Sequence, residues 1–332
     1  MRLLKLVPDD TNIRFLRWRI PFYVVSVLLI AASWGLVLTQ GLNLGVDFVG
    51  GQQVKVTFTE DAGAPIAELR ERVSALGYGE PVIQSADGAN SVNVRFRLPP
   101  EVQDDAAASA AMTSQVTNTI TDNFAGARID DLSAVSGKVS GELFSTAMLA
   151  LGLAMAAIAL YIWVRFEWQF GVGALFALFH DVSLTLGMFA LTQWEFDLKI
   201  IAAVLTIIGF SLNDTIVIYD RIRENLKKYR KMPMAELLDL SVNETLARTV
   251  MTSLTLLVTL VALLLLGPDS LFGLTAAVTL GIFVGTYSSV YMAAPILLWL
   301  GVTSDSFVPV ETAADRQERR ARGDADPDGA QV

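Results

Sequence analysis

The chain has 332 residues, of which 53% are hydrophobic, and its formal net charge is −9. It contains no cysteine and a single histidine, His180, which excludes a disulfide framework, a thiolate nucleophile and a multi-histidine metal site. The hydrophobic share is typical of a membrane protein with several spans, and the negative charge argues against a nucleic-acid-binding protein.

Apolar runs and the connections between them divide the chain into ten segments. The predicted segments are a cytoplasmic basic N-terminus (1–19), a first transmembrane helix (20–39), an exported α/β domain (40–142), five further transmembrane helices (143–164, 170–191, 199–219, 245–266 and 271–300), a basic connection (220–244) and a disordered cytoplasmic tail (301–332). The first run is longer than the hydrophobic part of a signal peptide, about 7–15 residues, so we expect it to be retained. In the connection, Leu226, Leu237, Leu238 and Leu240 predict a helix along the membrane surface.

Polar residues return between the first two spans, and the periodicity changes there. Alternation of apolar and polar residues predicts strands near 54–59, 82–85, 92–98 and 127–135. Helical spacing of apolar residues predicts one helix after Pro65 and another over 112–124. The resulting β-α-β-β-α-β order predicts a ferredoxin-like domain.

The distribution of basic residues predicts the orientation in the membrane. Of the 25 Lys and Arg residues, 17 lie in the N-terminus, the second and fourth connections and the tail, counting Arg248 with the fourth connection. Because basic residues concentrate in cytoplasmic connections, we expect both termini in the cytoplasm and residues 40–142 on the opposite side.

An acid interrupts the fourth apolar run, residues 200–219, which contains Asn213 and Asp214. A carboxylate inside a membrane is unfavourable by several kcal/mol unless it is paired, hydrated or protonated. Scales from insertion experiments give about 3 kcal/mol for an aspartate at the centre of a membrane helix. Two roles follow for Asp214: a structural hydrogen bond to a neighbouring helix, or the handling of an ion or proton. His180 and Asp181, near the middle of the third run, allow the same two roles.

Six helices with one large exported domain form an asymmetric plan, that of half of an RND-type transporter. With six helices alone, the polar residues inside the membrane spans would line only one half of a cavity. The plan therefore implies a second membrane subunit or a homodimer. Gly281 and Gly285 in the sixth run have the GxxxG spacing of a close helix contact. This contact fits a second subunit and the chain's own bundle equally well.

Four motifs in this order resemble those of the SecD/SecF family. Residues 45–51, GVDFVGG, resemble the motif that opens the family's exported domain, with Gly45, Asp47, Gly50 and Gly51 as its glycines and acid. Residues 210–225 resemble the fourth-helix motif, and residues 177–182 and 245–253 match the third and fifth helices. The resemblance covers residues 13–302, and the modest size of the exported domain favours the SecF branch.

The resemblance implies an auxiliary, non-enzymatic subunit of the Sec protein translocase that works with SecD and uses the proton-motive force in late steps of export across the bacterial inner membrane. The implied partners are SecD, the SecYEG translocon, YajC, YidC, translocating preproteins and the lipid bilayer. No cofactor or metal is implied beyond a coupling ion, H⁺ or Na⁺.

In the family, the fourth-helix acid and the fifth-helix arginine belong to the proton pathway, and here these are Asp214 and Arg248. A guanidinium stays charged, so Asp214 would pair with Arg248 when ionised and be neutral when protonated, which gives a two-state switch. Asn213 is expected to orient Asp214, and His180 with Asp181 to form a second relay. Asp47 is expected to be a turn or capping residue.

Two departures from the family and three rival functions stay open. Val49 replaces a usual threonine, and residues 136–139 lack a usual Gly-Pro pair. The rivals are an RND-type proton-coupled exporter of small molecules or lipids, a passive scaffold, and a membrane enzyme using His180 and Asp181 with Ser183 or Ser211, although no GxSxG or HExxH motif is present. The exported domain is expected to swing on residues 41–51 and 136–141.

Overall fold

The computed structural model describes residues 7–8, 11–59, 64–78, 81–86, 90–96, 99, 102, 106–135, 137–268 and 271–302. The helices are α1 (Arg19–Thr39), α2 (Val46–Val49), α3 (Ile66–Ser74), α4 (Ala106–Asn123), α5 (Gly137–Arg165), α6 (Trp168–Thr192), α7 (Leu198–Lys228), α8 (Met234–Leu266), α9 (Phe272–Ser288) and α10 (Ala294–Trp299). The strands are β1 (Gly51–Phe58), β2 (Val82–Ser85), β3 (Ser91–Phe96) and β4 (Ala127–Val135). The predicted tail beyond Val302 lies outside the described residues.

Six helical spans within the described residues are long and apolar enough to cross a membrane. Five of them contain α1, α5, α6, α7 and α8, and the sixth runs from Phe272 to Trp299. This arrangement confirms a polytopic helical membrane protein. A single-turn 3-10 helix, Phe15–Trp18, leads into the first span.

The sixth span changes its winding part-way, where a π-helical segment, Ser289–Ala293, joins α9 to α10. The wider turn leaves two backbone carbonyls as acceptors for side chains from other helices. The Tyr23 hydroxyl donates to the Met292 carbonyl at 2.8 Å, and the Tyr219 hydroxyl donates to the Ala293 carbonyl at 2.9 Å. The segment is therefore tied to both α1 and α7.

The predicted surface helix in residues 220–244 is wrong. Helix α7 continues to Lys228 and α8 already begins at Met234, so this connection is a short turn between two long helices. The reason is that its leucines face protein rather than a lipid surface: Leu226, Leu237 and Leu238 are each at most 1% exposed. The second span is also longer than predicted, since α5 begins at Gly137 instead of residue 143.

Close packing around small residues holds the bundle together. A Cβ atom on Gly187 of α6 would lie 2.1 Å from Ser33 Oγ of α1. On α9, a Cβ atom on Gly281 would lie 2.2 Å from Ile207 Cγ1, and one on Gly285 would lie 3.1 Å from Ser211 Cβ. Both glycines of the GxxxG pair therefore serve a contact between α9 and α7 of this chain, which decides between the two alternatives that the spacing left open.

The domain predicted to be exported contains a four-stranded sheet in the order β2-β3-β1-β4, in which every neighbouring pair is antiparallel. On the central strand, Val54 pairs with Val94 of β3 and with Leu132 of β4. The apolar face of the sheet packs against α3 and α4, where Leu69, Val116 and Ile120 are fully buried. The domain thus has a hydrophobic core of its own.

The domain is joined to the bundle by more than its covalent links. Residues 43–45 lie beside the connection between α6 and α7, with an isolated parallel bridge between Leu44 and Phe196. The Gly45 amide donates to the Phe196 carbonyl at 2.9 Å, and the Phe196 amide donates to the Asn43 carbonyl at 2.8 Å. Part of the predicted hinge 41–51 is therefore hydrogen-bonded to the bundle, and residues 137–141 of the other hinge belong to α5.

Candidate functional site

Asp214 lies on α7 inside the bundle, and the residue is 4% exposed. Its two carboxylate oxygens accept hydrogen bonds from two different helices. Thr249 Oγ1 of α8 donates to Oδ1 at 2.7 Å, and Ser289 Oγ at the start of the π-helical segment donates to Oδ2 at 2.8 Å. Because a hydroxyl can also accept a hydrogen bond, this surrounding suits both the ionised and the protonated carboxyl group.

Arg248 does not pair with Asp214 in this structure. Among the described residues no ion pair joins the two, and Arg248 is exposed on α8. The predicted pairing of the ionised acid with Arg248 stays a prediction. Consecutive residues on a helix point about 100° apart, and here α8 turns Thr249, not Arg248, towards the carboxylate. Asn213 is likewise exposed, and the structure does not bring it to Asp214 as an orienting group.

Asp181 of α6 forms a second buried centre, in which it is 1% exposed and His180 is fully buried. His180 Nδ1 lies 2.8 Å from Asp181 Oδ1. The other oxygen, Oδ2, accepts hydrogen bonds from Ser211 Oγ of α7 at 2.5 Å and from Ser288 Oγ of α9 at 2.9 Å. His180 Nε2 is buried without a hydrogen-bond partner in the described part of the chain.

Two adjacent serines link these centres. Ser288 donates to Asp181 on one side and Ser289 donates to Asp214 on the other. Helix α7 joins them as well, because it carries Asp214 and also Ser211, which donates to Asp181. The bundle therefore contains two carboxylates on α6 and α7, bridged by hydroxyl groups of the sixth span.

The acids were predicted from the sequence, but Thr249, Ser288 and Ser289 around them were not, and Ser211 was considered only as a nucleophile of the rival enzyme. A consecutive Ser-Ser pair in an apolar run was the available signal. It carries little weight alone, because Ser and Thr in helices commonly bond to the carbonyl four residues earlier. Thr255 and Thr259 of α8 do so here, at 2.7 Å and 3.1 Å.

The glycine-rich stretch 45–51 has a backbone role at the start of α7. Asp47 Oδ2 accepts a hydrogen bond from the Leu198 amide at 3.1 Å, so it caps a helix other than its own. Gly50 and Gly51 have φ angles of 76° and 119°, which favour glycine. A Cβ atom on Gly45 would lie 2.9 Å from Glu195 Oε1. The stretch therefore holds the helix that carries Asp214, without taking part in its chemistry.

Two family models match this chain. Residues 115–303, more than half of the chain, match the C-terminal region of the protein export membrane protein SecD/SecF, and residues 35–62 match the SecD/SecF GG motif. The chain belongs to the SecD/SecF family. The second match contains the glycine-rich stretch that caps α7, and the first contains both buried acids.

Relatives match along most of their length. The protein translocase subunit SecF of Cereibacter sphaeroides is 43% identical over 303 residues, which cover 90% of this chain and 93% of that protein. The SecF of Vibrio alginolyticus is 37% identical over 95% of this chain and 98% of its own. Both similarities extend over at least nine-tenths of each protein.

Two solved SecDF structures are also similar. The crystal structure of SecDF, a translocon-associated membrane protein from Thermus thermophilus, superposes with a TM-score of 0.79 at 33% identity over 88% of this chain. SecDF in its super-membrane-facing form gives a TM-score of 0.62 at 31% identity over 98% of this chain. This chain spans 39% of the first SecDF chain and 42% of the second.

As a member of the SecD/SecF family, the chain is an auxiliary subunit of the Sec protein translocase and a multi-pass inner-membrane protein. The rival function of an RND-type exporter of small molecules or lipids is not favoured, because the relatives that match along almost their whole length are translocase subunits.

Proposed function

We propose that this chain, together with SecD, uses proton movement through the membrane to drive late steps of protein export. The observation that supports the proposal is the surrounding of Asp214, a carboxyl group buried among two hydroxyl donors from α8 and the sixth span. A proton on Asp214 changes the charge and hydrogen bonding at a point where three helices meet. Such a change can bias the packing of those helices between two states.

The energy available from one proton is large enough for this role. A charge crossing 100 mV supplies about 2.3 kcal/mol, which shifts a two-state equilibrium about 50-fold. Each pH unit across the membrane adds about 1.4 kcal/mol. We take H⁺ as the coupling ion, with Na⁺ as the alternative, because a carboxylate suits both.

Asp181 and His180 form the second relay in this proposal. Their support is that two consecutive residues of the sixth span donate to the two acids, Ser288 to Asp181 and Ser289 to Asp214. A proton that reaches either acid can alter the hydroxyl orientation at the other. The rival role of both acids, as structural bonds between helices, predicts instead that neutral variants keep full activity.

In this proposal a second membrane subunit, SecD, completes the site. Asn213 and Arg248 are exposed on α7 and α8, next in sequence to Asp214 and to its donor Thr249. In a single chain these polar groups would contact lipid, which is costly. A partner with polar side chains at the same depth would give Arg248 the carboxylate that this chain does not supply.

The remaining partners and the orientation belong to the same proposal. The assembly includes SecYEG and the translocating preprotein, with YajC and YidC as further components. Both termini lie in the cytoplasm, and residues 40–142 lie in the periplasm, where an emerging chain would be met. We also propose the ferredoxin-like class for this domain, supported by its β-α-β-β-α-β order and its antiparallel β2-β3-β1-β4 sheet.

The experiment that tests the function compares Asp214→Asn with Asp220→Asn in a strain that lacks the chromosomal copy. Asp220 is a matched control because it lies on the same helix but is exposed, paired with Arg165 at 2.9 Å. We expect Asp214→Asn to assemble with SecD and to lose the export that depends on the proton-motive force, by up to about 50-fold.

The control variant Asp220→Asn is expected to export normally. Repeating the measurement without Na⁺ identifies the coupling ion, because export by the wild-type protein would stop if the protein were coupled to Na⁺. Full complementation by Asp214→Asn would reject the proposal and favour the scaffold.

A further inference from the structure

A polar cavity of about 140 Å³ lies between the exported domain and the membrane bundle. We call it the junction cavity. Its walls include Gln53 of β1, Asn93 of β3 and Glu195 of the connection between α6 and α7. Its lining includes Ile200 at the start of α7, about four helical turns before Asp214, and nothing in the proposed proton site uses the cavity.

Glu195 is the group that joins the two sides of the junction cavity. One of its carboxylate oxygens, Oε2, accepts hydrogen bonds from Gln53 Nε2 at 2.8 Å and from Asn93 Nδ2 at 2.5 Å. Gln53 and Asn93 are 8% and 5% exposed, so these bonds form away from water. They attach the sheet of the exported domain to a connection of the bundle.

The same two amides leave their oxygens without donors. Gln53 Oε1 and Asn93 Oδ1 are buried and have no hydrogen-bond partner in the described part of the chain. An unsatisfied buried acceptor costs about 1–3 kcal/mol, whereas a protonated carboxyl group offers one O–H donor. The cavity therefore has two buried acceptors that an ionised Glu195 cannot satisfy, whereas the single O–H of a protonated Glu195 could donate to one of them.

Charged groups from every neighbouring element surround Glu195. They are Asp47 of α2, Lys55 of β1, Arg95 of β3, Asp131 of β4, Asp197 before α7 and Lys199 on α7. Burial raises the pKa of Glu195 above its ordinary value, and the negative charges of Asp197 and Asp47 add to that rise. The hydrogen bond from Gln53 and the positive charge of Arg95 oppose it. Burial prevails, so the pKa of Glu195 is raised.

We propose that Glu195 is a proton-binding residue whose protonated form holds the exported domain against the connection between α6 and α7. The proposal goes beyond the proposed function, because it requires neither Asp214 nor any partner subunit. It gives the exported domain a response to the acidity of the compartment it faces.

The direction of the response follows from linkage. In an undocked domain Glu195 would be in water with its ordinary pKa, and in the docked domain its pKa is raised by burial. The docked form then binds the proton more tightly, so docking is strongest below the undocked pKa and weakens as the pH rises through the docked pKa. Acid closes the junction and alkali loosens it.

The test measures the distance between the domain and the bundle with a pair of spin labels. The chain has no cysteine, so Ala67→Cys on α3 and Leu191→Cys on α6, both at exposed positions, can be labelled without background. Pulsed electron paramagnetic resonance on the full chain in nanodiscs compares about pH 5 with about pH 8. We expect one narrow distance at the lower pH and a second, longer population at the higher pH.

Glu195→Gln is expected to keep the single narrow distance at both pH values, because its neutral amide can both accept from and donate to Gln53 and Asn93. Asp122→Asn, an exposed acid on α4, is the matched control and should respond to pH as the wild type does. Asp197→Asn tests the neighbouring acid, whose pKa burial also raises, and should keep the response.

The proposal would be overturned by a wild-type distance that does not change with pH or that lengthens in acid. A pH response that persists in Glu195→Gln, or one that disappears in Asp197→Asn, would also overturn it. The wild-type comparison does not depend on the folding of any Glu195 variant, and Glu195→Asp supplies a second titrating form. Adding Asp214→Asn to the labelled chain should leave the response unchanged, so this proposal and the proposed function fail separately.

Discussion

Asp214 and Asp181 each accept two hydrogen bonds from side-chain hydroxyls, and each of those hydroxyls comes from a different helix than the acid. An acid held in this way can lose or gain a proton without the loss of a fixed counter-charge, because a hydroxyl can turn from donor to acceptor. At the scale of single residues, small hydroxyl groups thus surround Asp214, whereas Asp181 has hydroxyl groups on one oxygen and His180 on the other.

Ser289→Ala removes one of the two donors to Asp214. We expect a destabilisation of about 1–2 kcal/mol, because one oxygen of a buried carboxyl group loses its partner. The measurement is thermal or denaturant unfolding in detergent, together with the proton-motive-force-dependent part of export. Thr249→Val should give a loss of the same order.

A double-mutant cycle supplies the control for this prediction. In an Asp214→Leu background, Ser289→Ala should cost clearly less than in the wild type, since the acceptor is gone. Thr259→Val is the matched hydroxyl variant, because Thr259 donates only to a backbone carbonyl of its own helix. Equal costs for Ser289→Ala in both backgrounds would show that the Ser289 bond to Asp214 contributes nothing.

The acids could be predicted from the sequence because a charge in an apolar run is conspicuous. Their partners could not, because the partner of Asp214 depends on which face of α8 meets α7. The prediction chose Arg248 on the resemblance, and the structure turns its neighbour Thr249 inward instead. A shift of one residue along a helix rotates the side chain by about 100°, which a sequence pattern does not define.

At the scale of helices, the central contact is between α7 and α9. Gly281 and Gly285 allow α9 to approach Ile207 and Ser211 closely, and this approach brings Ser288 and Ser289 to the two acids. Neither glycine is needed for its backbone angle. Their function is the close packing of two helices.

Gly281→Leu should therefore disrupt the site from a distance. A Cβ atom at residue 281 would lie 2.2 Å from Ile207, so the helices must separate, with a cost of about 1–3 kcal/mol from overpacking. We expect a lower unfolding temperature and reduced export, although no acid or hydroxyl is altered. Gly285→Ala should be milder, because its Cβ atom would lie 3.1 Å from Ser211.

Gly209→Ala on α7 is the matched control. No atom lies within 4 Å of a Cβ atom at that position, so the variant should be neutral or stabilised by up to about 1 kcal/mol through helix propensity. Wild-type stability in Gly281→Leu would contradict the proposed packing role.

The number and order of the spans could be predicted from hydrophobic runs, whereas the ends of the helices could not. Polar residues at 220–228 and 234–244 suggested that α7 and α8 end at the membrane surface. In the structure both helices continue, since contacts between them satisfy their polar groups: Asn225 Nδ2 donates to Ser241 Oγ at 3.0 Å and to Glu244 Oε2 at 2.6 Å. Partners distant in sequence override the local pattern.

At the scale of the whole molecule, the domain and the bundle meet through the start of α7. Asp47 from the glycine-rich stretch and Asp197 both cap that start, with Asp197 Oδ1 accepting from the Ile200 amide at 3.2 Å. The same helix carries Asp214 about four and a half turns further on. The glycine-rich stretch is therefore hydrogen-bonded directly to the helix that bears the acid.

This link has a direction only if the domain and the helix turn between α7 and α8 lie on opposite sides of the membrane. Single cysteines in this cysteine-free chain test the orientation: Glu71→Cys on α3 of the domain and Lys231→Cys in the turn between α7 and α8, both exposed. In intact spheroplasts, a membrane-impermeant maleimide should label Glu71→Cys, and it should label Lys231→Cys only after permeabilisation. The positive-inside distribution is the physical reason for this expectation.

The unsubstituted chain is the blank, and labelling after denaturation corrects for differences in cysteine reactivity. Labelling of Lys231→Cys in intact cells would show that the orientation is the reverse of the one expected. The junction cavity would then face the cytoplasm, and the domain would not be exposed to protons outside the cell.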